Sequence, residues 1–256
     1  MLDWLYTLIA GTLALWHAAF STVLPPAGGA AWALAIAFLV LTVRFLLFPL
    51  FVSSLRSQRA VQALQPEVQA LRELHGDDKQ AFSTALLALQ RDRGVNPLAG
   101  CLPALLQLPV FIALLHVLRR IAPGADGLYS WSDALTDQAA AASLWGVPIS
   151  SQFGGTGSTA GWLLPVALAA AMAGTLYLTQ RYVQRRSGPV TGPAAQVQGL
   201  LLYGLPLGAF ASGFFFPVGV LVYWSVSNLF TLGQQVHLLR RFPPPAPRPE
   251  QGTATA

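Results

Sequence analysis

Charge is what this chain has least of. Only 10% of its 256 residues are Asp, Glu, Lys or Arg, while 54% are hydrophobic. A soluble domain of this length would need roughly a quarter of its residues charged to cover its surface, so a water-exposed globular fold is excluded on composition. A bilayer removes that requirement. Cysteine is nearly missing too: Cys101 stands alone, so no internal disulfide can form. The four histidines, His17, His75, His116 and His237, show no metal-ligand spacing. Residues 1–24 contain no Lys or Arg, so the basic start of a secretory signal is missing. No phosphate loop, nucleophile–base constellation or internal repeat is visible. Neither an enzyme nor any cofactor is expected.

What is present is long apolar runs. A spanning helix needs about 20 mostly apolar residues, and five segments qualify: 25–52, 97–118, 161–180, 199–216 and 217–238. The last two are separated only by the turn at Pro217 and Gly219, so they form a tight hairpin. Basic residues set the orientation. The segment 53–96 carries Arg56, Arg59, Arg72, Lys79, Arg91 and Arg93, and 181–198 adds Arg181, Arg185 and Arg186. The tail, 239–256, adds Arg240, Arg241 and Arg248. Segment 119–160 has only Arg119 and Arg120, beside three aspartates. Twelve against two places the first three segments in the cytoplasm, with the C-terminus, and 119–160 outside. The net charge of +5 is then a topology signal rather than a nucleic-acid surface, and no nucleic-acid specificity is expected.

Between the spans, Val61, Leu64, Val68 and Leu71, then Phe82, Leu86 and Leu89, follow helical spacing around a turn at HGDD, which predicts a cytoplasmic helical hairpin over 53–96. Pro66 costs its first arm a hydrogen bond and should kink it. Residues 1–24 read as an amphipathic interfacial helix on the outer side. Trp4, Leu8, Leu15, Trp16 and Phe20 lie on one face, and Thr7, Gly11, Ala14, Ala18 and Ser21 on another; a sixth span is the competing reading. The Pro-rich tail from Pro243 reads as disordered.

One charge is out of place. Arg44 sits in LTVRFLLFPL, residues 41–50, seven positions before Phe51 and so about 10 Å from the cytoplasmic end of its span. A charge at a helix centre costs roughly 2.5–3.5 kcal/mol on insertion scales. One explanation is snorkelling to the headgroups; the other is a wet cavity. No Asp or Glu falls inside any span, so the cation has no carboxylate partner there. Pro49, Pro103 and Pro109 each free a carbonyl one turn earlier, at Phe45, Ala99 and Leu105. Gln107, Ser225, Ser227 and Asn228 add polar groups that serve either as interhelical hydrogen bonds or as groove lining. Tyr223 and Trp224 fit an aromatic anchor or packing. Proton or cation transport usually needs an intramembrane acid. An unpaired positive group would instead attract an acidic or polar segment and hold it until hydrophobic burial carries the rest across.

The runs TVRFLLFPL (42–50), ALQPEVQAL (63–71), GDDKQ (76–80), GVNPLAGCLPALLQLPVFIALLHVL (94–118) and FFFPVGVLVYWSVSNLFTLGQQ (214–235) resemble the YidC-type membrane protein insertases, which include mitochondrial oxidase-assembly and chloroplast relatives. The resemblance covers about 1–241 in order and is closest to short bacterial forms without a large extracytoplasmic domain. It implies an all-α polytopic fold of five transmembrane helices around a hydrophilic groove open to the cytoplasm, in the bacterial inner membrane. The groove arginine falls on Arg44, with Thr42 as the nearest hydroxyl, and the substrate-facing aromatics fall on Tyr223 and Trp224. The implied activity is insertion and folding of small membrane proteins. The implied partners are nascent chains, membrane lipids, the Sec translocon and the ribosome. The chain departs from the family pattern at Val40 and Val218, where relatives carry polar residues, and in its short basic tail. A small-molecule transporter or channel, or a structural assembly subunit, are the rival readings.

Overall fold

A computed structural model describes residues 2–76, 78–96, 102–121, 126–187 and 193–241. Cys101, Pro97, the carbonyl of Ala99, residues 188–192 and the tail from 242 onward lie outside the described residues. The described chain is helical apart from one two-strand hairpin.

Helix α1 spans Asp3–Phe20 and α2 Gly29–Leu46. The helix carrying Arg44 therefore ends earlier than the expected span. Pro49 lacks an N–H for the Phe45 carbonyl, so the ladder breaks at Leu47 and restarts as α3, Phe48–Ala63. A second break at Leu64 precedes α4, Gln65–His75, with Pro66 in its first turn, where the missing N–H costs nothing. Pro66 thus starts a helix instead of kinking one. Asp78 caps α5, Lys79–Asp92, by accepting from the N–H groups of Gln80 and Ala81 at 3.1 and 2.9 Å. The α4–α5 hairpin closes with Arg93 on Glu67 at 2.8 Å and Arg72 over the Phe82 ring at 5.5 Å.

Helices α6 (Leu102–Arg120), α8 (Thr159–Ser187) and α11 (Val218–Arg241) complete the bundle with α9 (Pro193–Gly199) and α10 (Leu205–Ser212). A π-helical turn at Leu200–Gly204 joins α9 to α10 just before Pro206. Helix α1 packs on α2 and α6, α2 packs on α11, and α8 holds α10 and α11. The buried core includes Leu13, Trp32, Ile36, Leu39, Leu114, Leu118 and Tyr223.

Three described helical stretches are long and apolar enough to cross a membrane: Gly29–Leu46, Thr159–Arg186 and Gln196–Phe215. Helix α11 is long enough, but Ser225, Ser227, Asn228, Gln234 and Gln235 dilute its apolarity, and α6 is described only from Leu102.

Two features of the segment 119–160 were not expected. Ser132 caps a short helix α7, Asp133–Ala141, and it leads into strands β1 (Ser143–Leu144) and β2 (Val147–Pro148). This hairpin is stitched to the bundle. Ser143 bridges Gly28 at the start of α2, and the carbonyls of Ser151 and Ile149 accept from the Val218 and Gly219 N–H groups at 2.9 and 2.8 Å. The open first turn of α11 is capped by backbone in this way.

Helix α1 packs through one face and leaves another open. Leu5, Ile9, Leu13 and His17 point inward, while Trp4, Leu8 and Leu15 are exposed. In a lipid-facing protein the largest apolar side chains are free to point outward, because lipid tails are as apolar as they are.

Candidate functional site

Arg44 lies on the last turn of α2 and is buried, with 7% of its surface accessible. Its side chain does not reach out along the helix. Nη2 donates to the Ser227 hydroxyl at 2.6 Å and, more weakly, to the Ser227 carbonyl at 3.4 Å, both on α11. The guanidinium carbon sits 5.0 Å from the Phe51 ring of α3 and 5.8 Å from the Phe230 ring of α11. Nε has no hydrogen-bond partner among the described residues. An arginine stays protonated at any accessible pH, so this is a fixed positive charge held by one hydroxyl, one carbonyl and two aromatic faces.

The charge borders a cavity of about 580 Å³. Helix α3 contributes Phe51, Ser54, Leu55 and Gln58 to its wall, and α6 contributes Gln107, Leu108 and Phe111. Gln180 of α8 closes one side. The longest wall is α11, from Tyr223 through Ser227 and Asn228 to Gln234, Gln235 and Leu238. No carboxylate is among the lining residues described. Five of them are glutamines, whose amides both donate and accept without adding charge. The carbonyl oxygens of Gln107 and Gln234 are buried and unpartnered among the described residues. A buried amide oxygen left without a partner carries a desolvation cost, which water or an incoming polar group would relieve.

The expected site residues divide clearly. Arg44, Gln107, Tyr223, Trp224, Ser227 and Asn228 share this one cavity. Gln107 Nε2 donates to the Tyr223 hydroxyl, and Trp224 stacks on Phe111 at 4.9 Å. Thr42 does not join them. Its hydroxyl accepts from Trp16 Nε1 at 3.0 Å and donates to the Phe38 carbonyl at 2.8 Å, which ties α2 to α1. Ser225 turns toward the Leu168 carbonyl of α8 at 3.4 Å, the interhelical role. Val40 and Val218 are fully buried and are not among the residues lining the cavity.

Sequence reasoning missed Gln58, Ser54, Gln180, Gln234 and Gln235, along with Phe51 and Phe230. The glutamines sit at or beyond the ends of the apolar runs, where a polar residue offers no contrast. Their signal was position: Gln180, Gln234 and Gln235 lie in the C-terminal halves of α8 and α11, and Gln58 lies on α3, which continues from the Arg44 end of α2.

A set of apolar helices enclosing a polar cavity with a single fixed cation defines a helical membrane-protein class. A family model described as 60Kd inner membrane protein matches residues 23–245, and the chain belongs to that family, the YidC-type insertases. Among curated relatives, the Membrane protein insertase YidC of Streptomyces avermitilis is 35% identical over 251 residues, covering 93% of this chain and 58% of that protein. The protein of the same name from Mycobacterium tuberculosis H37Rv is 33% identical over 261 residues, covering 91% of this chain and 71% of its own. A solved structure, "Active YidC insertase crystal structure with the first transmembrane domain resolved", matches with a TM-score of 0.54 at 22% identity, over 90% of this chain and 46% of that one. That likeness is one of fold. The chain thus spans little more than half of the Streptomyces relative and under half of the solved chain.

Proposed function

We propose that this protein is a membrane protein insertase and chaperone, acting on small membrane proteins whose acidic or polar segments enter the Arg44 cavity. The observation that carries the reading is an unneutralised guanidinium facing about 580 Å³ of amide- and hydroxyl-lined space, with no carboxylate among the described lining. Its relatives carry the name insertase.

The mechanism follows from the charges. Cytoplasmic orientation of the cavity rests on Arg56 and Arg59, in α3 beyond the Arg44 end of α2, and on Arg181, Arg185, Arg186, Arg240 and Arg241, at the C-terminal ends of α8 and α11. Five transmembrane helices (α2, α6, α8, the α9–α10 run and α11) then enclose a groove open to the cytoplasm, with the C-terminus on that side. An acidic tail arriving from the cytoplasm trades its water for Arg44 and for glutamine amides. This lowers the cost of lifting it to the depth of Arg44. The apolar span behind it partitions into lipid at roughly 25 cal/mol per Å² of buried apolar surface, and that gain drives translocation. No covalent chemistry is involved. The substrates are nascent membrane proteins, delivered in the bacterial inner membrane with membrane lipids as the receiving phase; the Sec translocon and the ribosome are the partners of this reading. Proton-coupled or cation transport usually needs an intramembrane acid, and none is among the described lining residues.

The test is complementation. Cells depleted of their own insertase receive the wild type, Arg44→Ala or Arg44→Lys, and insertion of a single-span protein with an acidic N-terminal tail is followed by protease protection. Ala is expected to fail and Lys to retain most activity, because the cavity needs charge more than fork geometry. Equal insertion by all three would remove Arg44 from the mechanism and favour a structural subunit.

A further inference from the structure

The hairpin at 143–148 turns through Trp145 and Gly146, which have φ of 50° and 78°. A two-residue turn with both central residues at positive φ is the type I′ geometry, which favours Asn-Gly. A bulky aromatic at the first position is a conformational outlier. Trp145 accepts that strain and gains nothing inside the fold. It is 80% exposed and makes no hydrogen bond or ring contact among the described residues. A residue that is costly to its own turn and unused by its neighbours has its purpose outside the chain.

The hairpin's position identifies the occupant. Ser143 bridges Gly28, one residue before α2 begins, and the carbonyls of Ile149 and Ser151 cap the first turn of α11. The tip therefore stands at the outer ends of two helices assigned above as spans. Val23, in the α1–α2 turn at the same end of α2, is equally exposed. Indole rings favour the layer where acyl chains meet headgroups, since the ring is apolar and its N–H needs a polar partner. We infer that Trp145 is a membrane anchor: it seats the outer hairpin in the headgroup boundary of the outer leaflet and fixes the height of α2, and so of Arg44, in the bilayer. This rests on the membrane orientation proposed above.

The test keeps the native ring. The full chain is labelled with fluorotryptophan and placed in nanodiscs of phosphatidylcholine and phosphatidylglycerol. The fluorine resonance of Trp145 is assigned as the one missing from Trp145→Phe, and that of Trp162, exposed on the apolar helix α8, from Trp162→Phe. The expected result is loss of the Trp145 resonance with a lipid nitroxide placed near the top of the acyl chain, and its survival with a water-soluble gadolinium chelate. Loss with the chelate alone, while Trp162 responds to the lipid nitroxide, overturns the anchor and leaves the orientation standing. If neither tryptophan responds to lipid, the orientation itself fails. As a second readout, Trp145→Asn, which suits the turn, should keep or raise the thermal midpoint in detergent. A lowered midpoint would make Trp145 a folding residue and overturn the inference.

Discussion

Arg44 and Ser227 are 183 positions apart in sequence, yet the guanidinium of one lies 2.6 Å from the hydroxyl of the other. That contact joins the end of α2 to the middle of α11. Thr231 donates to the Ser227 carbonyl at 2.8 Å, so the same residue is held from one turn further along α11. Ser227 therefore steers the one charge among the described lining residues.

Removing that hydroxyl should loosen the charge without deleting it. A hydrogen bond to a charged group is worth about 1.5–3 kcal/mol when nothing replaces it, but water in a wet cavity replaces much of it. Ser227→Ala is expected to lower insertion of an acidic-tailed client several-fold, well short of the Arg44→Ala loss, while Ser227→Thr stays close to wild type. Protease-protection kinetics in depleted cells measure both. A full loss in Ser227→Ala would mean that the hydroxyl is itself the substrate ligand.

The two aromatic faces make a second, separable contribution. Phe51 lies just past the Leu47 break, on α3, so it couples the segment that leads into the α4–α5 hairpin to Arg44 across a 5.0 Å cation–π contact. Such contacts are worth about 0.5–1 kcal/mol when exposed and about 2 when desolvated. Phe51→Leu should reduce insertion of the acidic client by a few-fold. In the Arg44→Ala background the same substitution should change nothing further, because the partner is gone. Additive losses in the double variant would assign Phe51 to packing alone.

Much of this was legible in the residues, for physical reasons that can be named. Arg44 was visible because charge in an apolar run has no cheap explanation. Gln107, Ser227 and Asn228 stood out for the same contrast. The glutamines at 58, 180, 234 and 235 did not, because past the end of a hydrophobic run a polar side chain is ordinary; only the fold shows that these ends converge. Thr42 misled because a hydroxyl two positions from Arg44 points away from it around the helix, toward Trp16. The outward Trp4 and Leu8 show that hydrophobicity does not mark the interior of a protein that itself sits in oil. Helix α7 and the 143–148 hairpin were hidden because an alanine-rich nine-residue helix and strands of two residues leave no periodicity to read.

Two glycines should separate backbone contact from helix propensity. A Cβ on Gly29 would run into the Ser143 carbonyl and lie 2.8 Å from the Leu144 nitrogen, and neither is the free end of a side chain. Gly29→Ala is expected to lower the thermal midpoint by several degrees, as a destabilisation of about 1–3 kcal/mol would. A Cβ on Gly174, in α8, meets nothing. Gly174→Ala removes a helix-interior glycine and should leave the midpoint unchanged or raise it. Scanning the three proteins in one detergent decides the matter.

The hairpin offers a comparison of cap against ion pair. Glu67 and Arg93 meet at 2.8 Å, but Arg93 is exposed and Glu67 partly so, and pairs within reach of water contribute little. Asp78 satisfies two otherwise open N–H groups of α5. Asp78→Ala should therefore increase amide exchange in the first turn of α5, consistent with the loss of about 1 kcal/mol. Glu67→Gln should leave exchange in α4 and α5 nearly unchanged. A larger effect from Glu67→Gln would show that the hairpin is held by charge.

The sharpest test adds the group the cavity wall lacks. Gln107 is nearly isosteric with glutamate, its amide nitrogen already contacts the Tyr223 hydroxyl, and its carbonyl oxygen is buried with no partner among the described residues. Gln107→Glu therefore puts a carboxylate into the cavity without changing its volume. The new anion would repel an acidic segment and draw on the field of Arg44, so the attraction that receives the client is cancelled at its source. Insertion of an acidic-tailed client should fall toward the Arg44→Ala level. A client whose tail is uncharged, with the same span, should insert nearly as before, since glutamate still accepts hydrogen bonds. If both clients fall together, the substitution has damaged the bundle. If neither falls, the positive potential of the cavity is not what receives the substrate.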